Sequence, residues 1–173
     1  MIYLISFLMP AMVFAGIGEE TEAILRQLFP GADSIDFKEL KVEGEAKEGA
    51  ERVAGQKFIL SKLYLWEIKK DEEVIGSAIL DNVMGKVKPI TYVVVFSADL
   101  SVIHTRVLRY REQYGGAIQN RFWLDQFIGF HAESNHRLGE DINGITGATL
   151  SADAITRGVK RVAVYLSLLI NKN

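Results

Sequence analysis

The sequence predicts an α+β fold, a twisted antiparallel sheet built from hairpins with flanking helices, in a single domain. Three observations point there. Runs of β-branched and aromatic residues between positions 63 and 110 are separated by short polar or glycine-containing breaks, the pattern of strands joined by tight turns. Stretches with helical periodicity flank those runs on both sides. The chain has 173 residues and 49% hydrophobic content, enough for one well-filled core and too little to argue for two.

Met1 to Phe14 is almost wholly apolar and leads into Val13-Phe14-Ala15-Gly16. Small residues at Val13 and Ala15 fit a signal-peptidase site after Ala15. The run falls short of the roughly 20 residues a membrane-spanning helix needs. Residues 1–15 are therefore expected to be a signal peptide, although its usual positive start is missing, and residues 16–173 to be the domain. The alternative is a buried N-terminal helix or an uncleaved anchor.

Glu19 to Phe29 reads as an amphipathic helix, with Ile24, Leu25, Leu28 and Phe29 on one side and Pro30-Gly31 as its stop. It is expected at the edge of the core. Residues 38–57 are rich in lysine and glutamate and read as a solvated face, with a short helix around Gly44 to Ala54. From Leu63 to Ile68 the chain alternates, with Leu63 and Leu65 facing one way and Tyr64, Trp66 and Ile68 the other. Lys69 to Glu72 is a polar turn, and Val74 to Leu80 returns as the second strand of a hairpin. Gly85 to Pro89 is a break, Ile90 to Phe96 a third strand, Ala98-Asp99 a turn and Val102 to Tyr110 a fourth. The segment from Tyr110 to Ile118 reads as a strand that ends in glycines and passes into a helix carrying Phe122, Trp123, Gln126 and Phe127.

The last stretch is the most informative. Asp141-Ile142-Asn143-Gly144-Ile145-Thr146-Gly147-Ala148-Thr149-Leu150-Ser151 is a loop rich in glycine and hydroxyls that runs into a long helix. Apolar or small residues at 150, 154, 155, 158, 159, 162, 163, 166 and 169 mark one buried stripe; Arg157, Lys160 and Arg161 lie off it. A helix start leaves backbone N–H groups unpaired and carries partial positive charge, which suits a phosphate. Gly144 and Gly147 permit close approach of the backbone. Ser151, with Asp153 in the first turn, is expected to cap the helix and leave the Thr149 hydroxyl free; an ordinary N-capped loop is the bland alternative.

Composition narrows the functions. A net charge of −2 and a pI near 6.0 give no electrostatic reason to seek nucleic acid. With no cysteine in the chain, disulfides, thiolate zinc sites and cysteine-ligated clusters are excluded. His104, His131 and His136 do not form a metal signature, and no nucleophile triad or carboxylate pair stands out; no catalytic or metal-binding residue is assigned.

Thr146-Gly147-Ala148-Thr149-Leu150-Ser151 resembles the flavinylation motif of the FMN-binding domain family, Asp-x-x-(Ser/Thr)-Gly-Ala-Thr, whose members include the C subunit of the sodium-translocating NADH:quinone reductase and the G subunit of the Rnf complex. The order of elements from about Leu63 to Leu168 is similar to that domain. The resemblance implies FMN joined by a phosphoester to Thr149, in a reaction in which a flavin transferase uses FAD and magnesium. The acidic position of the motif is Asn143 here, with Asp141 just upstream. Family members carry Glu-Thr-Pro-Gly-Leu-Gly after the last strand; Glu112 and Gly115 match it, while Gln113, Tyr114, Gly116 and Ala117 depart from it.

On this reading Thr149, Thr146, Gly147, Ala148 and Ser151 form the phosphate end of the site. Glu112 and Gly115 join the pocket, where Glu112 accepts from ribityl hydroxyls or caps the next helix. Trp123, Tyr114 and Phe122 are candidates to face the flavin ring or, as ordinary core aromatics, to avoid it, and Arg121 is a candidate partner for the phosphate. The implied function is an exported electron carrier, periplasmic or at the cell surface, in one version membrane-associated, served by a flavin transferase and by redox partner proteins such as a membrane electron-transfer complex. Two other readings stand beside it: a binding or assembly module of the same fold without flavin, and a small flavin-dependent reductase of an external acceptor.

Overall fold

The computed structural model describes residues 11–171, with side chains from Gly16 onward. Five antiparallel strands in the order β1-β2-β3-β4-β5 form an open meander. They are β1 (Ser34–Lys41), β2 (Lys62–Lys70), β3 (Glu73–Met84), β4 (Pro89–Ser97) and β5 (Val102–Arg109). Two helices, α2 (Gly44–Ala54) and α4 (Thr149–Ile170), lie on one side of the sheet, α1 (Ala11–Leu28) lies on the other, and the short α3 (Arg121–Leu124) sits between β5 and α4 in sequence.

The predicted hairpins are present, and the sheet has one strand more. β1 pairs along its whole length with β2, from Ser34 opposite Lys69 to Lys41 opposite Lys62; its second half, from Lys38, falls in the stretch read as a solvated face. It is an edge strand whose charges pair across the ladder, Lys38 with Glu67 at 2.5 Å and Lys62 with Glu39 at 2.7 Å. Such an edge needs few apolar residues and resists pairing with another chain. α2 also does more than face solvent, because Ala46, Ala50 and Ala54 are buried and it packs along α4.

Alternation divides the sheet into two cores. Leu63, Leu65, Ile79, Val83, Tyr92, Val94 and Phe96 pack with α2 and α4. Trp66, Ile68, Ala78, Leu80, Val93, Val95 and Leu108 pack with Ile17, Ile24 and Leu25 of α1. Each of these aliphatic side chains contributes roughly 1.5–3 kcal/mol relative to exposure. α1 is therefore the cover of a full sheet face rather than an element at its edge, and it begins well before the predicted Glu19. The expected cleavage point after Ala15 falls within α1, while positions 1–10 of the predicted signal peptide lie outside the described residues.

Arg161, read as lying off the apolar stripe of α4, has no solvent exposure. The helix is covered on a second side by α2 and the residues after it, so the charge must be satisfied within the protein. Its Nη2 lies 2.5 Å from Asp81 Oδ2 on β3, its Nη1 donates to the Lys57 carbonyl, and its guanidinium sits 4.3 Å over the Phe58 ring. Tyr92 on β4 donates to the same Asp81 oxygen at 3.0 Å. Gly158 of α4 lets the helix close on this cluster, since a Cβ there would fall 2.6 Å from Tyr92 Oη and 2.7 Å from Val83 Cγ1. The middle of α4 is thereby fixed against the sheet, which sets where its first turn stands.

Candidate functional site

α4 starts at Thr149 and Ala148 occupies the cap position, where no side chain makes a capping hydrogen bond. Ser151 falls inside the first turn rather than before it, so it does not cap as expected; it is buried, with Oγ 3.4 Å from Tyr110 Oη. The first helical donor is Ala152 N–H, to the Ala148 carbonyl at 2.9 Å. Among the described residues no acceptor meets the N–H groups of Thr149, Leu150 and Ser151. The Thr149 side chain is exposed and likewise has no hydrogen-bond partner there. Gly147, at φ +80° with nothing within 4 Å of where a Cβ would stand, carries the chain into this turn. Three free donors, a helix dipole and a hydroxyl thus converge at one place. Asp153, one turn away, is neutralised by Arg157 at 2.9 Å.

This helix start opens onto a cavity of about 470 Å³ lined by Lys86, Val87, Lys88, Glu112, Gln113, Tyr114, Gly115, Gly147, Ala148, Thr149, Leu150 and Ser151, a size within the usual range for cofactor sites. Three segments far apart in sequence form it: the β3–β4 turn, the loop after β5 and the start of α4. Tyr110 ties the last two together, because its hydroxyl donates to the Tyr114 carbonyl and lies beside Ser151. Gly115 is required at the junction: φ is +86°, and a Cβ would stand 2.7 Å from Tyr110 Oη and 3.3 Å from Ala148 Cβ. The Gly115 match to the family thus has a steric reason. Tyr110, which holds the loop in place, was not among the sequence candidates; a tyrosine closing a β-strand carries no signal that sets it apart from a core residue.

Glu112 lines the cavity and does not cap the helix that follows. Its Oε1 accepts from Val87 N–H at 2.9 Å and Lys88 N–H at 3.3 Å, so it braces the β3–β4 turn that forms the opposite wall. Those bonds, Val87 first, together with the nearby Lys86, hold its carboxyl below the usual glutamate range. Lys86 and Lys88 are exposed on the same turn and make no ion pair among the described residues.

The structure leaves other candidates outside the lining. Trp123 is buried in the core, edge-on to Phe127, and its Nε1 donates to the Asn143 carbonyl at 2.7 Å. Phe122 projects into solvent, Arg121 faces Asp125 at 3.5 Å, and Thr146 is exposed on the approach to the cavity. The Tyr110–Ile118 segment is a loop with a 3-10 turn at Gly116–Gln119, not a strand, and the aromatic helix is broken into α3 and a second 3-10 turn. Of the aromatics, Tyr114 alone lines the cavity.

Every lining residue falls within residues 85–164, and that stretch matches the model of the FMN-binding domain. Residues 85–164 belong to the FMN-binding domain family. The chemistry of the lining is compatible with that family's ligand: unpaired N–H groups and two lysines suit a phosphate, while Val87, Tyr114, Ala148 and Leu150 suit an apolar ring. No curated protein matches the chain. A second cavity, of about 440 Å³ over the end of α2, is lined by Glu48, Glu51, Arg52, Gly55, Gln56 and Lys57; it has neither apolar wall nor helix start.

Proposed function

We propose that this FMN-binding domain carries its flavin as an ester on Thr149 and works as an exported electron carrier. One observation carries the reading: the exposed Thr149 hydroxyl stands at an uncapped helix start that opens onto the cavity. The N–H groups of Thr149, Leu150 and Ser151 would hold the phosphate, with Gly147 letting it approach the backbone. Val87, Tyr114 and Leu150 would shield the ring from water, and Lys86 and Lys88 lend positive charge at the mouth. In the attachment step the Thr149 Oγ forms a bond to the riboflavin-side phosphorus of FAD while the pyrophosphate bond breaks. AMP leaves with the bonding electrons, and the hydroxyl proton passes to a base of the flavin transferase. When bound, FMN supplies reversible uptake of one or two electrons. The apolar run at residues 1–15 supports export, and a covalent tether suits a protein with no cytoplasmic cofactor pool to draw on. Redox partner proteins, such as a membrane electron-transfer complex, would supply and receive the electrons.

A second reading, a module of the same fold whose Thr149 stays unmodified, is favoured by one observation. Where the family has an acid, both the backbone N–H and the side-chain amide of Asn143 donate to Gln126 Oε1, at 2.9 and 2.8 Å. Co-expression with a flavin transferase separates the two. The expected result is flavin fluorescence that survives denaturation in the wild type and is lost in Thr149→Val. Wild-type protein that stays dark and unmodified would overturn the carrier reading.

A further inference from the structure

The direction of α1 places both ends of the molecule. Glu20 pairs with Arg109 at 2.8 Å and Arg106 at 3.6 Å, near the end of β5 where Arg109 faces Thr91. Phe29, at the other end of α1, packs on Gly76 near the start of β3. α1 therefore runs from the Met84–Pro89 end of the sheet toward the Asp71–Glu72 and Ala98–Asp99 turns. Ala11 stands nine residues before Glu20, about 13 Å further along a helix, at the end that holds the β3–β4 turn and the flavin cavity. The chain before it, MIYLISFLMP, has no charged side chain.

The surface of that end differs from the rest. Met84 (48% exposed) lies beyond the α1 side, because its neighbour Val83 is buried toward α4; Val87 (70%), Tyr114 (77%) and Leu150 (61%) rim the cavity. Lys86 and Lys88 stand among them without ion-pair partners among the described residues. The nearby acids are engaged, Glu112 by turn N–H groups and Glu20 by two arginines. Arg111 turns inward to the Pro89 carbonyl and Thr91 Oγ1. Exposed apolar side chains interleaved with free lysines, at the end where the uncharged apolar sequence joins α1, match the chemistry of an anionic lipid surface.

We infer that the domain stands on an anionic membrane surface with its Met84–Pro89 end, and so the mouth of its cavity, turned toward the lipid. No helix among the described residues is long and apolar enough to cross a membrane; the contact inferred here is interfacial. This orientation does not depend on bound flavin, and it would put the cavity within reach of redox partners embedded in the same membrane.

The absence of cysteine makes the test direct. Full-length Met84→Cys and Ala98→Cys, which mark opposite ends of the sheet, are each labelled with an environment-sensitive fluorophore and mixed with phosphatidylcholine vesicles with or without phosphatidylglycerol. The label at 84 is expected to brighten and to be quenched by nitroxide-bearing lipid, and the label at 98 to do neither. Lys86→Gln/Lys88→Gln should weaken binding to the phosphatidylglycerol vesicles by roughly tenfold or more. Equal responses at the two positions, no response at either, or unchanged vesicle affinity in the lysine variant would overturn the orientation. A soluble protein partner at this end would give the result without any lipid response.

Discussion

The first turn and the middle of α4 treat polar groups in opposite ways. Around Arg161 the charge is wholly enclosed and answered by Asp81, the Lys57 and Asn82 carbonyls and the Phe58 ring. At Thr149 three N–H groups and a hydroxyl are left without partners among the described residues, beside open space. The enclosed cation meets an anion and two carbonyls, although Arg161 Nε and Asp81 Oδ1 keep no hydrogen-bond partner. The groups at Thr149 face open space and stay available to a ligand. The contrast locates function at the start of a helix whose apolar stripe runs on from Leu150 to Leu169.

The largest expected effect comes from breaking the enclosed ion pair. Arg161→Ala leaves the Asp81 carboxylate buried without its cation and should cost about 3–5 kcal/mol, measured by chemical denaturation. An unchanged unfolding midpoint would mean that the cluster does not fix α4. Acid should act next, on the loop that feeds the site. Burial pushes His136 down to about 4, so the folded state keeps it neutral while the unfolded chain protonates near 6.5. The stability tied to this group is therefore full above about pH 6.5 and lost as pH falls toward 4, up to about 3 kcal/mol. Denaturation at pH 7 and pH 5 should show that loss, and His136→Phe should shrink it. Gly115→Ala is smaller in stability and sharper in meaning. Its φ of +86° and the contact with Tyr110 Oη predict a cost of about 1–3 kcal/mol. Flavin attachment should fall more than the drop in folded protein explains, because the strain lies in the wall of the cavity.

Much of this was legible in the sequence because the physics is local. The β2–β5 hairpins announce themselves through alternation and β-branched runs, and α2 was placed at its observed bounds from composition alone. β1 is not legible because Ser-Ile-Asp-Phe-Lys-Glu-Leu-Lys is an edge strand with a charged outer ladder, and from Lys38 on its composition reads as a solvated face. Arg161 escaped because a helix clasped by a sheet on one side and α2 on another buries more than a single stripe. The phosphate end of the site was readable from glycines and hydroxyls before a helix. The opposite wall was not, because Lys86, Val87 and Lys88 reach the cavity only through the fold, and the position of Trp123 depends on a bond to the Asn143 carbonyl that no periodicity encodes. Ser151 was misplaced by one turn, since the helix begins at Thr149.

The claim that Thr149 is the attachment point has one decisive readout. Protein co-expressed with a flavin transferase is digested with trypsin, and the peptide from Leu138 to Arg157, which carries Thr146, Thr149, Ser151 and Thr156, is fragmented in a mass spectrometer. The FMN mass is predicted on Thr149 alone; finding it on Thr146 or Ser151, or finding only the bare peptide, would contradict the account.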